Sequence, residues 1–224
     1  MNNTLQPITE NELKEKLNGF IISQENQYAA EVYEKFAYAT LDVFKEGLSF
    51  EESHALWSTF TENNLKLEQK LLKFMTHLYD LNENEPVFVD MPFHQYNSEN
   101  FLEILGKLDY LDKVTFLDQI RSINKDDTYF RITDTKQFEL LIKLATRELC
   151  LPVFHFSKLD VTVVTNFGLA FPIYTSNKED MEKLRLIAEK YEVFILENET
   201  LPNLAKIDFM KECALVGGTL GQEI

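Results

Sequence analysis

Apolar residues recur at helical intervals up to about residue 80, and beyond it short apolar runs alternate with helical stretches. Thr9 followed by Glu12 reads as a capping box, with Leu13, Leu17, Phe20 and Ile21 on one helical face behind it. Residues 27–45 repeat that pattern through Ala29, Val32, Tyr33, Phe36, Ala37, Leu41 and Phe44, with Gly47 as the stop. Ser49 and Glu52 form a second capping box that opens a helix carrying Ala55, Leu56 and Phe60. A fourth helix faces Leu67, Leu71, Phe74, Met75 and Leu78 inward and Lys66, Lys70 and Lys73 outward.

At Asn82–Pro86 the character changes. Val87-Phe88-Val89, held between Pro86 and Pro92, predicts a short strand, and Ser98 predicts the cap of a helix through Leu108. A second short helix is expected over residues 111–121, a turn at residues 124–127 and a strand at Tyr129–Ile132. A helix from Thr133 or Asp134 shows Phe138, Leu141, Ile142 and Ala145 on one face and ends before Pro152. Strands at Val153–Phe156, Val161–Thr165 and Leu169–Tyr174 follow, joined so tightly that they must run antiparallel. Ser176 with Glu179 is a third capping box, its helix buries Met181, Leu184, Ile187 and Ala188, and Val193–Leu196 is a last strand. In the tail, Lys206–Leu215 fits one more helix.

The fold class is therefore α+β. An N-terminal helical layer or subdomain over residues 1–84 is followed, over residues 85–224, by a mixed, mainly antiparallel sheet covered by helices and containing an antiparallel meander. The two stretches form separate units or one continuous domain.

Composition narrows the function classes. The chain has 224 residues, 45% of them hydrophobic, with 18 Phe but 1 Trp, which is ample for a core. Its 22 basic and 37 acidic residues give a net charge of −15. That sign opposes nucleic-acid backbones and anionic membranes. Two cysteines, Cys150 and Cys213, make no disulfide framework, and no basic leader or long apolar run is present, so a cytoplasmic address is expected.

Motifs for chemistry are sparse. His54, His77, His94 and His155 are isolated from one another, so no metal site is expected, and no glycine-rich phosphate loop or dinucleotide fingerprint appears, so no cofactor is expected. Gly217-Gly218-Thr219-Leu220-Gly221 lacks the Lys and the following helix that a P-loop needs. Asp90 and His94 lie just past a predicted strand, where a carboxylate can tune an imidazole. His155 alternates with Phe154 and Phe156, which puts it on a solvated face, in a core, or in a site on the sheet near Arg147. Tyr38 lies off the apolar stripe and is a candidate for a partner-binding surface.

The expected function is a non-enzymatic regulatory or protein-interaction role, of immunity, antitoxin or inhibitor type. A net charge of −15 would steer a basic protein partner. The alternative is an enzyme of unrecognised class, with a pocket between the helical layer and the sheet lined by Asp90, His94, Arg147 and His155. A structural or sensory module of a larger assembly is a third reading.

Overall fold

Thr9 opens the first helix, α1 (Glu10–Lys16), as its spacing from Glu12 predicts. Its hydroxyl accepts from the Glu12 amide at 3.2 Å, and the Glu12 carboxylate accepts from the Thr9 amide at 2.7 Å. The computed structural model describes residues 5–46, 60–83, 85–91, 93–124 and 126–197. The predicted Ser49–Glu52 helix, His54, Lys206–Leu215 and the glycine-rich tail lie outside them. α1 stops where Asn18 (φ 54°) and Gly19 (φ 89°) turn left-handed, so Phe20 and Ile21 follow it in irregular chain rather than on its face.

The helix expected over residues 27–45 is corrected. Only α2 (Ala30–Lys35) is helical, and Ala37–Asp42 is strand β2. Phe36 is already extended at φ −124° and ψ 144°. From there Ala39, Leu41 and Val43 are buried while Tyr38, Thr40 and Asp42 are half-buried, a period of two. Ala37, Leu41 and Phe44 satisfy both periods in the sequence, and pairing on both sides settles the contest in favour of the strand.

Among the described residues one sheet of eight antiparallel strands forms, in the order β1-β4-β3-β5-β6-β7-β2-β8. The strands are β1 (Gln6–Ile8), β2, β3 (Val87–Asp90), β4 (Tyr129–Ile132), β5 (Val153–Phe156), β6 (Val161–Val164), β7 (Phe171–Thr175) and β8 (Phe194–Leu196). The tight β5–β6 and β6–β7 hairpins are as the short connections require. Two strands come from the stretch whose spacing reads as helical: β1 pairs with β4, and β2 with β7 and β8.

Register sorts the side chains onto two faces. One face presents Val87, Val89, Phe130, Ile132, Phe154, Phe156, Val163, Ile173, Ala39 and Leu41, all fully buried. Helices cover it: α3 (Phe60–Leu81), α4 (Ser98–Lys107), α5 (Tyr110–Ser122), α6 (Thr135–Thr146) and α7 (Lys178–Ala188). α3 buries Leu71, Phe74, Met75 and Leu78 on this face, the spacing that identifies it in the sequence. Phe138 of α6 lies 5.3 Å from Phe154 and 5.9 Å from Phe156, ring to ring. Each such buried ring contributes ~1.5–3 kcal/mol over its exposed state. Two helix starts shift by one residue: Asn97 rather than Ser98 caps α4, and Asn177 rather than Ser176 caps α7. Ser176 instead donates its hydroxyl to the Asp160 carboxylate.

The other face is covered by the short helices α1 and α2 and the irregular chain between them. Ile22 and Val32 pack on Val153, Val164 and Tyr174, while Leu13 and Ile21 pack on Phe88. This segment, from α1 to Phe36, is the cover over the second face, and the buried His155 lies beneath it.

Candidate functional site

Cross-strand pairing lines up one row beneath the cover: Gln6, Arg131, Phe88, His155, Thr162, Tyr174 and Tyr38. His155 is at its centre with no exposed surface. Its Nδ1 lies 3.0 Å from the Thr162 hydroxyl, and its Nε2 has no hydrogen-bond partner among the described residues. Burial without a counter-charge lowers its pKa to about 3, so the ring is neutral at physiological pH.

Asp90 ends β3 opposite Tyr129 and Val153, on the same face as His155 and two residue pairs along the ladder. Burial, and after it the Glu25 carboxylate in the cover, push its acid up to about 6. Tyr129 beside it rises to about 12, first through burial and then through the charge of Asp90. His94 falls in the short 3₁₀ turn Phe93–Gln95 that follows β3.

Arg147 lies across the sheet, at the C-terminal end of α6. Its Nε and Nη2 each donate at 2.9 Å to the two oxygens of Glu68, which is 1% exposed, and Nη1 donates to the Lys107 carbonyl at 2.9 Å. The Thr146 hydroxyl donates to the same carboxylate at 2.8 Å. This fork fastens α6 to α3 and to the end of α4, and the Glu68 hydrogen bonds raise the Arg147 pKa above its ordinary value. Of the four candidates, then, Asp90 and His155 share a face, and Arg147 belongs to the helical layer on the opposite one.

The cover itself is what the sequence reading missed. Irregular backbone has no internal ladder, so its polar groups must find partners elsewhere. Tyr174 donates its hydroxyl to the Gln27 carbonyl at 2.9 Å, and Gln24 Nε2 donates to the carbonyls of Thr165 at 2.7 Å and Leu151 at 3.1 Å. Tyr33 packs edge-on against Tyr38 at 5.5 Å, and Tyr38 lies 5.1 Å from Tyr174, so the off-stripe Tyr38 joins an aromatic group that reaches the surface. Burial and the neighbouring phenols raise the pKa of Tyr28, Tyr33 and Tyr174. A cavity of about 20 Å³ opens between Leu17, Phe20 and Ile22 of the cover, Phe36, Asp160 and Thr162, room for about one water.

The outer side of the cover is acidic. Glu10, Glu12, Glu15, Glu25, Glu31 and Glu34 are all exposed, as is Tyr28 at 46%. Glu10 pairs with Lys14 at 2.6 Å and Glu12 is held by Thr9, whereas Glu15, Glu25, Glu31 and Glu34 make no ion pair with the described residues. Carboxylates beside half-buried tyrosines suit a cationic protein surface, since the rings give area with few rotamers to freeze.

Fold and site together define an α+β protein whose antiparallel sheet has one face under helices and the other under an acidic, aromatic N-terminal cover. No protein-family model matches the chain, and neither a curated protein nor a solved structure is significantly similar to it. Among the described residues no helix is long and apolar enough to cross a membrane.

Proposed function

We propose that this chain is a cytoplasmic, non-enzymatic regulatory protein of the immunity, antitoxin or inhibitor kind, which binds a basic protein partner through the outer surface of its N-terminal cover. The observation that carries the reading is the set of carboxylates Glu15, Glu25, Glu31 and Glu34, exposed and without an ion pair among the described residues, on the same N-terminal cover as exposed Tyr28. A net charge of −15 steers a cationic partner toward the molecule, and this patch offers it both charge and an aromatic anchor. His155 and Thr162 hold the sheet beneath rather than meet the partner.

Affinity capture from the native host at low salt, with the full chain as bait, is the direct test. A stoichiometric basic protein is expected, released as salt rises and lost with Glu25→Gln/Glu31→Gln/Glu34→Gln. A partner retained by that triple variant, or held equally well in high salt, would remove the proposal.

A further inference from the structure

The turn that ends α1 holds a chemical step of its own. Of the chain's 7 glycines, only Gly19 follows an asparagine, Asn18. Both residues are exposed, and the Asn18 carboxamide makes no hydrogen bond among the described residues. Gly19 has no side chain to hinder its nitrogen, and the space beside it is open: a Cβ built there meets nothing within 4 Å. The amide nitrogen that follows an asparagine is within reach of that residue's side-chain carbonyl. Closing the five-membered ring between them is intramolecular, so a rotation of the chain replaces a collision.

We infer that Asn18-Gly19 is a self-modification site, where deamidation turns the cap of α1 into aspartate or isoaspartate and loosens the hold of α1 on the sheet. The Gly19 nitrogen loses its proton and bonds to Asn18 Cγ. The bond from Cγ to the side-chain nitrogen breaks, and that nitrogen takes up a proton and leaves as ammonia. Water then opens the cyclic imide. Attack at Cγ leaves an aspartate in an ordinary backbone, whereas attack at the main-chain carbonyl routes the backbone through Cβ and Cγ as isoaspartate, one methylene longer. Water enters and ammonia leaves, and no oxidant, metal or second protein is consumed.

The folded turn governs the rate. The Gly19 amide donates to the Lys14 carbonyl at 2.7 Å, and Asn18 is left-handed at φ 54°, so the attacking nitrogen is engaged until the turn opens. That opening is local. α1 has 7 residues, Lys14, Glu15 and Lys16 are exposed, and Leu13 and the half-buried Leu17 hold it to Phe88. Either product then weakens the turn that made it. A carboxylate joins the negative end of the helix dipole, and the longer isoaspartate backbone no longer fits the left-handed cap. The change is irreversible within the chain, and no partner is needed for any of these steps.

The test is incubation of the full chain at mildly alkaline pH, folded and in urea, with isoelectric focusing and mass spectrometry of the peptide that carries residue 18. An acidic species is expected, part of it isoaspartate that an isoaspartyl methyltransferase labels. It should form roughly 5- to 30-fold more slowly in the folded chain, the factor for opening one exposed turn. Asn18→Gln, which needs a six-membered ring, should abolish it, and Asn18→Asp should carry the charge from the start and release no ammonia from this position. Hydrogen exchange at the Leu13 and Leu17 amides should be roughly 2- to 5-fold faster after conversion, the factor for one unfavourable charge at a helix end. Position 18 is exposed, so thermal unfolding of both variants should stay near the wild type, which separates lost chemistry from lost fold. A folded chain that stays unmodified while the urea-treated chain converts overturns the inference. So do equal rates in the two states, an acidic species that persists in Asn18→Gln, or exchange at Leu13 and Leu17 that conversion leaves unchanged.

Discussion

The two faces of the sheet solve the same problem with different materials. Under the helices, the inward side chains of β2–β8 are apolar apart from Thr175 at a strand end, and rings meet rings. Under the N-terminal cover the row runs through Arg131, His155, Thr162, Tyr174 and Tyr38. The difference follows from the cover's backbone. A helix satisfies its own amides and asks only for apolar contact, whereas irregular chain needs donors and acceptors from the surface it lies on. The Tyr174 hydroxyl meets that need at the Gln27 carbonyl, and the Gln24 side chain ties the cover to the Thr165 and Leu151 carbonyls. The helical face should therefore dominate stability and the covered face should dominate its dependence on conditions.

Truncation gives the largest contrast. Phe154→Ala, which removes a ring from between Phe138 and the sheet, should destabilise the protein by ~3–5 kcal/mol in urea unfolding. Ile22→Ala on the cover should cost nearer ~2 kcal/mol, because an irregular segment can settle into the space left behind. Equal losses at the two positions would break the contrast.

Acid is the next largest lever, and it acts through His155. Its folded pKa is depressed to about 3 from an ordinary value near 6.5, so the unfolded chain binds the proton and the folded one does not. That group's contribution is fully present above ~6.5 and is lost as pH falls toward 3, a loss on the order of 3–5 kcal/mol. His155→Leu should flatten this limb of a stability-against-pH curve measured by denaturant unfolding. A mutant curve parallel to the wild type would show that the ring is not the sensor.

Much of this was legible in the chain itself. The runs at residues 87, 129, 153 and 161 are short, β-branched or aromatic and bounded by breakers, so only a strand suits them, and α3 repeats its apolar side chains for long enough to exclude anything else. β2 was not legible because Ala37, Leu41 and Phe44 fit both periods and the decision rests on β7 and β8, which lie far along the sequence. The slipped caps at Asn97 and Asn177 have a local cause: two capping residue types stand side by side, and the backbone selects the one in the extended region. Helical spacing predicts α1 and the stretch of α2, but nothing in residues 22–28 announces that this segment seals a sheet face. For the same reason His155 could be read as core, solvated or site, and Tyr38 stood out only by failing to fit a helical stripe.

Asp90 should move stability in the direction opposite to His155. Its folded pKa is raised to about 6 against an ordinary 3.8, so its contribution is present below 3.8 and is lost as pH rises through 6. Asp90→Asn should accordingly raise stability at pH 7 by about 1–3 kcal/mol and have little effect near pH 3. Between pH 4 and 6 the two groups offset one another in the wild type, so the same variant should uncover a steeper acid loss there. Thermal unfolding across that window checks both signs, and a variant less stable at pH 7 would mean that the Asp90 carboxylate has a favourable partner.

The smallest effect isolates the His155–Thr162 contact itself. Thr162→Val keeps the shape of the side chain but removes the hydroxyl 3.0 Å from Nδ1, leaving a fully buried imidazole with neither nitrogen satisfied. A buried group deprived of its partner costs about 1–2 kcal/mol, whereas removing both partners together is nearly neutral. The pair His155→Leu/Thr162→Val should therefore be more stable than the two single losses add up to, with a coupling of about 1 kcal/mol in a double-mutant cycle. A cycle that closes with no coupling would show that the hydroxyl and the ring are neighbours without a bond. The polar row would then serve the cover alone, through Tyr174.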